Sequence, residues 1–109
     1  MAEREMAEEM QELQLLEQNL QAFMMQKQAF QMELNETDSA LYELKKSKED
    51  EVYKITGQVM VKTDKESVKK DLEERKKILS LRLSSIEKQE ESINKRLTNL
   101  RTNLTKKIR

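Results

Sequence analysis

The sequence has no cysteine, no histidine, no proline and no tryptophan. Without cysteine there is no disulfide framework and no thiolate chemistry. Without histidine the commonest general base and the commonest transition-metal ligand are both missing. No run of 18 apolar residues occurs, so no segment is expected to span a membrane. The opening Met1-Ala-Glu-Arg-Glu-Met6 is acidic and lacks an apolar signal core, which makes a soluble, cytoplasmic protein the expectation. Glycine occurs once, at Gly57, and aromatic side chains make up 4% of the chain.

What the chain does have is charge. Of its 109 residues, 39% are charged and 36% apolar, too little for an ordinary globular core but enough for a narrow seam between helices. The length bounds the chain to one folding unit. Disorder competes with helix for so polar a sequence, and the periodicity decides between them.

Residues 1–48 carry apolar side chains at alternating spacings of three and four. The a positions are Met6, Leu13, Leu20, Lys27, Leu34 and Leu41, and the d positions are Glu9, Leu16, Phe23, Phe30, Thr37 and Leu44. Nine of these twelve are apolar, the signature of a coiled-coil helix. At about 1.5 Å per residue it would be roughly 65–70 Å long. Lys27 interrupts the seam, either to fix register and partner or with its stem packed and its ammonium in water. Met10, Met24, Met25 and Met32 fall off the seam; they are incidental exposure or a soft surface suited to varied partners.

Residues 49–63 change character. In Glu51-Val-Tyr-Lys-Ile-Thr-Gly-Gln-Val-Met-Val-Lys62 the β-branched residues crowd around the single glycine. Thr56-Gly57 is expected to form the turn of a β-hairpin. A lone two-stranded hairpin is marginal in water and has unpaired edges. Val52, Tyr53, Ile55, Gly57, Val59 and Val61 are therefore expected to assemble with hairpins of other subunits.

Residues 64–109 restore the heptad. The d positions are Leu72, Leu79, Ile86, Ile93, Leu100 and Lys107, and the a positions are Lys76, Leu83, Glu90, Leu97 and Leu104. Thr63-Asp-Lys-Glu66 fits a capping box, with Thr63 expected as N-cap. The two helices are expected to fold back on one another, because residues 1–17 hold six acids and one base while residues 94–109 hold six bases and no acid. That fold brings Glu9 towards Lys107 and Lys27 towards Glu90, with two alignments left open.

The chain contains no phosphate loop, dinucleotide fingerprint or metal-spaced cluster. A two-helix arm also offers no concave pocket to desolvate a reaction. The expectation is a protein that works by contact, not an enzyme, with no cofactor. Its basic C-terminal stretch fits a nucleic acid, an acidic protein surface, or simply the acidic stretch of its own chain. The pI near 6.4 and the lack of aromatics among the bases weigh against nucleic acid.

Several segments in order resemble one family. Gln26-Lys27-Gln28, Leu34-Asn-Glu-Thr37, Ala40-Leu41 and Glu43-Leu44 precede the hairpin; Val52-Tyr-Lys54, Gly57 and Val61-Lys62 lie within it; Leu72-Glu-Glu-Arg75 and Ile86-Glu-Lys-Gln-Glu90 follow. Together they resemble the β-type subunits of prefoldin, the chaperone also called GimC, in its archaeal form. The resemblance implies a mainly α fold: a long antiparallel two-helix coiled coil, joined by one short β-hairpin that assembles with other subunits into a β-barrel platform. It implies a hetero-hexamer of two α-type and four β-type subunits. It further implies that the tips of the coils hold non-native client proteins without ATP and pass them to a group II chaperonin. By position, Met1, Met6, Met10, Leu13, Leu97, Leu100, Leu104 and Ile108 are then the client-binding candidates, and Lys106, Lys107 and Arg109 the chaperonin-docking candidates. Two rival readings are an adapter tethering fixed protein partners and a nucleic-acid-binding helical hairpin; neither requires the hairpin motif.

Overall fold

The structure, a computed structural model, describes residues 2–108 without the side chain of Ile108. Helix α1 (Ala2–Lys46) leads through strands β1 (Glu51–Thr56) and β2 (Val59–Asp64) to helix α2 (Lys65–Ile108). The expected element order, two long helices with one antiparallel hairpin between them, is the one observed. Neither helix contains proline or glycine, so nothing interrupts the backbone ladder. Acids in the first turns (Glu3 and Glu5; Glu66) and bases in the last (Lys45 and Lys46; Lys106 and Lys107) suit the helix dipoles.

The chain divides into two compact units, Met1–Ala29 with Leu83–Arg109, and Phe30–Arg82. In the first, the core is a row of α2 side chains: Leu83, Ile86, Leu97, Leu100 and Leu104 are buried, Leu97 and Leu100 to 1% exposure. Their counterparts on α1 (Met6, Leu13, Leu16, Leu20 and Phe23) are only half-buried. Both ion pairs expected from the sequence form. Lys107 Nζ donates to Glu9 Oε1, and Lys27 Nζ lies 3.5 Å from Glu90 Oε1. The Lys27 contact is an ion pair rather than a hydrogen bond, and Glu90 Oε1 is buried without a hydrogen-bond partner. Lys27 is half-buried on the seam, and its ammonium reaches a charge of the opposite helix.

In the second unit Leu79 is buried, while Phe30, Leu34, Leu41, Leu44 and Leu72 are half-buried. Thr37 is a buried polar residue on this seam and is satisfied internally, its hydroxyl donating to the Glu33 carbonyl at 2.8 Å. Asp38 pairs with Lys76 at 2.9 Å, and the Arg82 guanidinium lies 5.8 Å from the Phe30 ring centroid.

Two local expectations are corrected. The N-cap of α2 is Asp64, whose Oδ2 accepts from the Ser67 amide at 3.0 Å. Thr63 is not available to cap, because it sits opposite Val52 in the strand register. The turn is Gly57-Gln58, not Thr56-Gly57, since Thr56 pairs with Val59. Gly57 has φ +62°, and positive φ at the first loop residue alone is the pattern of a type II′ turn, which follows the right-handed twist of the strands.

A lysine locks the joint between helix and hairpin. The Lys65 ammonium donates to the Ser47 carbonyl at 2.6 Å, just past the end of α1, and the Lys65 amide donates to the Asp50 carbonyl at 2.8 Å. A cation there satisfies a carbonyl the helix cannot. Lys65→Met keeps the stem but removes the charged donor, and we expect it to cost about 1.5 kcal/mol, read as a lower urea midpoint with unchanged slope.

Candidate functional site

The hairpin presents apolar side chains on both faces. Directly opposed residues share a face, so Tyr53, Ile55 and Met60 stand on one side and Val52, Val59 and Val61 on the other. Of these six only Val52 is half-buried; Ile55 is 71% exposed. The Glu51–Lys62 pair at 2.7 Å borders the first face, and it is solvated. The sheet has two strands, so each strand leaves one edge unpaired. Apart from half-buried Val52, the residues expected for subunit assembly are therefore exposed together, with main-chain donors and acceptors free beside them.

The second candidate surface lies in the unit of residues 1–29 and 83–109. There the acidic stretch of α1 meets the basic stretch of α2. Arg96 grips Glu12 with two parallel bonds, Nε to Oε1 at 2.8 Å and Nη2 to Oε2 at 3.0 Å. Arg101 Nη2 donates to Glu17 Oε1 at 3.0 Å. Lys107 bonds Glu9 and approaches Glu5 at 3.8 Å. The basic stretch meets the acidic stretch of its own chain. On α2 the hydroxyls of Thr98, Thr102 and Thr105 each donate to the carbonyl four residues earlier, at 2.8–2.9 Å.

The Arg96 and Lys107 contacts shift the titration of three groups. Its bond to Arg96 holds the Glu12 carboxyl below the usual range, and the same bond raises Arg96. Bonding to Glu9 raises Lys107. A lowered carboxyl contributes stability above its unfolded pKa and loses it as pH falls through the folded value. Glu12→Gln should therefore lower the melting temperature at pH 7, and the gap from wild type should close below about pH 4. A gap persisting at pH 3 would show that packing, not charge, carries the effect.

The client-binding candidates separate in the structure. Met10 is 57% exposed, Met6 and Leu13 are half-buried, and Leu97, Leu100 and Leu104 close the seam. Lys106 is exposed, whereas Lys107 is engaged by Glu9 and Glu5. Met1, Arg109 and the side chain of Ile108 lie outside the described residues. Four exposed large hydrophobic residues escaped the sequence reading: Leu15, Tyr42, Ile78 and Leu81. Their signal was a large apolar side chain outside the a and d positions. An open groove runs along Lys27, Glu90, Asn94 and Thr98, lined by polar side chains. Among the described residues no helix is long and apolar enough to cross a membrane.

A family model described as "Prefoldin subunit" matches residues 6–109. The crystal structure of the prefoldin beta subunit from Thermococcus strain KS-1 superposes with a TM-score of 0.88, at 33% sequence identity, covering 96% of this chain and 93% of that one. A comparison with curated protein sequences finds no match.

Proposed function

Since this chain belongs to the prefoldin subunit family, whose members are non-enzymatic chaperone subunits that assemble with one another, we propose that it is a β-type subunit of a cytoplasmic holdase. Four copies join two α-type subunits, and their hairpins close into a shared β-barrel platform. The coil ends hold non-native proteins without ATP and hand them to a group II chaperonin. The observation that carries this reading is the hairpin: apolar on both faces, open at both edges, and solvated in the single chain. Partner hairpins would satisfy those main-chain groups and cover those side chains. Client contact falls to Met6, Met10, Leu13, Leu97, Leu100 and Leu104, with Met1 and Ile108 beside them in sequence. Chaperonin docking falls to Lys106, Lys107 and Arg109.

The test is a client panel on the assembled complex. Suppressed aggregation of several unrelated denatured proteins without nucleotide supports the holdase. Binding to one fixed partner and no denatured protein turns the reading to an adapter. Docking is tested with Lys106→Glu and Arg109→Glu, which spare the Lys107–Glu9 bond. Chaperonin binding should weaken while aggregation suppression persists, and unchanged chaperonin affinity would remove the assignment.

A further inference from the structure

The unit of residues 1–29 and 83–109 is asymmetric in a way that specifies a ligand. Leu97, Leu100 and Leu104 of α2 are at most 6% exposed, yet the α1 seam residues of the same unit, Met6, Leu13 and Leu16 among them, are only half-buried. On the heptad, Arg96 flanks this leucine row on one side and Arg101 on the other, with Lys107 beyond Leu104. Glu12, Glu17 and Glu9 of α1 answer each cation in turn. So α2 presents an apolar row with a cationic border, and α1 acts as its acidic cover. The cover is imperfect. Glu9 occupies a seam position with Oε2 buried and without a hydrogen-bond partner, a cost that a better-fitting segment would avoid.

We propose that this α2 face holds non-native chains by exchange, accepting amphipathic helical segments that carry carboxylates beside an apolar stripe in place of the first twenty residues of its own chain. The inference rests on the holdase reading and adds to it the chemical class of client segment. The rule of recognition is the one the chain uses on itself: apolar side chains at spacings of three and four, with acids where Glu12 and Glu17 stand. The resident α1 segment competes from within the same molecule at high effective concentration. Exchange therefore favours segments that are abundant, or that arrive when the helix end frays. Segments with basic flanks meet Arg96, Arg101 and Lys107 and are rejected by like charge.

The probe is a labelled peptide of residues 5–20, compared by fluorescence anisotropy with its Glu9→Lys/Glu12→Lys/Glu17→Lys counterpart on the assembled complex. The acidic peptide should bind about tenfold more tightly at low salt, the scale of a few solvated ion pairs acting together. The difference should vanish near 1 M salt, and the peptide should displace a held denatured protein. A second chain guards against simple loss of the coil: Glu5→Lys, Glu9→Lys, Glu12→Arg and Glu17→Arg combined with Arg96→Glu, Arg101→Glu and Lys107→Glu keeps every pair but reverses it. On that chain the preference should invert. Equal binding of the two peptides overturns the proposal. So does failure of both peptides while denatured proteins are still held, a result that leaves the holdase reading standing. If neither peptides nor denatured proteins are held, both readings fall.

Discussion

Replacing Ile55 and Val59 together with aspartate should dissolve the assembly while leaving the coiled coil folded. The two side chains stand on opposite faces of the hairpin, and both are solvated in the single chain, so the substitution removes nothing the chain needs for itself. In an assembly each would be buried, a gain of about 1.5–3 kcal/mol per aliphatic side chain, and a buried unpaired carboxylate adds a further penalty. At about 1.4 kcal/mol per tenfold, the loss is at least about a hundredfold in association. Native mass spectrometry or sedimentation should find the complex replaced by free chains whose helical circular dichroism is retained. Gln58→Asp, in the exposed turn, is the control and should change neither. If the double aspartate variant still assembled fully, the hairpin would not be the joining element.

Leu100→Ala should be among the most damaging single changes in the coil. The side chain is 1% exposed, and truncating a buried leucine costs about 3 kcal/mol through lost transfer energy and the cavity left behind. For a chain of this size the melting temperature should fall by more than about 10 °C. Leu15→Ala removes the same atoms from a site 57% exposed and should stay within about 0.5 kcal/mol. Similar losses at the two sites would mean that the coil end is open in solution and that Leu100 is not seam at all.

The heptads were legible because they are enforced twice, by residue type and by spacing. All twelve a and d positions read along α1, polar Glu9, Lys27 and Thr37 included, are half-buried or buried. On α2 the pattern holds except at Lys76 and Lys107, whose long stems let the charge leave the seam. The opposed charge blocks likewise fixed which ends meet. What the sequence hid is set by tertiary reach. Thr63 and Asp64 both suit a cap, and only the strand register, which places Thr63 opposite Val52, decides between them. Nothing local marks Lys65 as the residue that closes on Ser47, eighteen positions away. Periodicity also treats the two helices alike, so the unequal covering of their seam residues could not be read from it. Leu15, Tyr42, Ile78 and Leu81 were passed over because a heptad reading looks inward.

The threonines of α2 bear on time rather than on energy. Thr98, Thr102 and Thr105 each turn a hydroxyl onto the helix's own backbone, and such back-bonding slightly weakens and bends a helix. Spread over two turns near a helix terminus, they make this stretch a natural site of local unfolding. Amide hydrogens of residues 98–106 should accordingly exchange with solvent deuterium sooner than those around Leu83 and Ile86. The leucines on that stretch would then be uncovered intermittently, at a rhythm set by the sequence beside them.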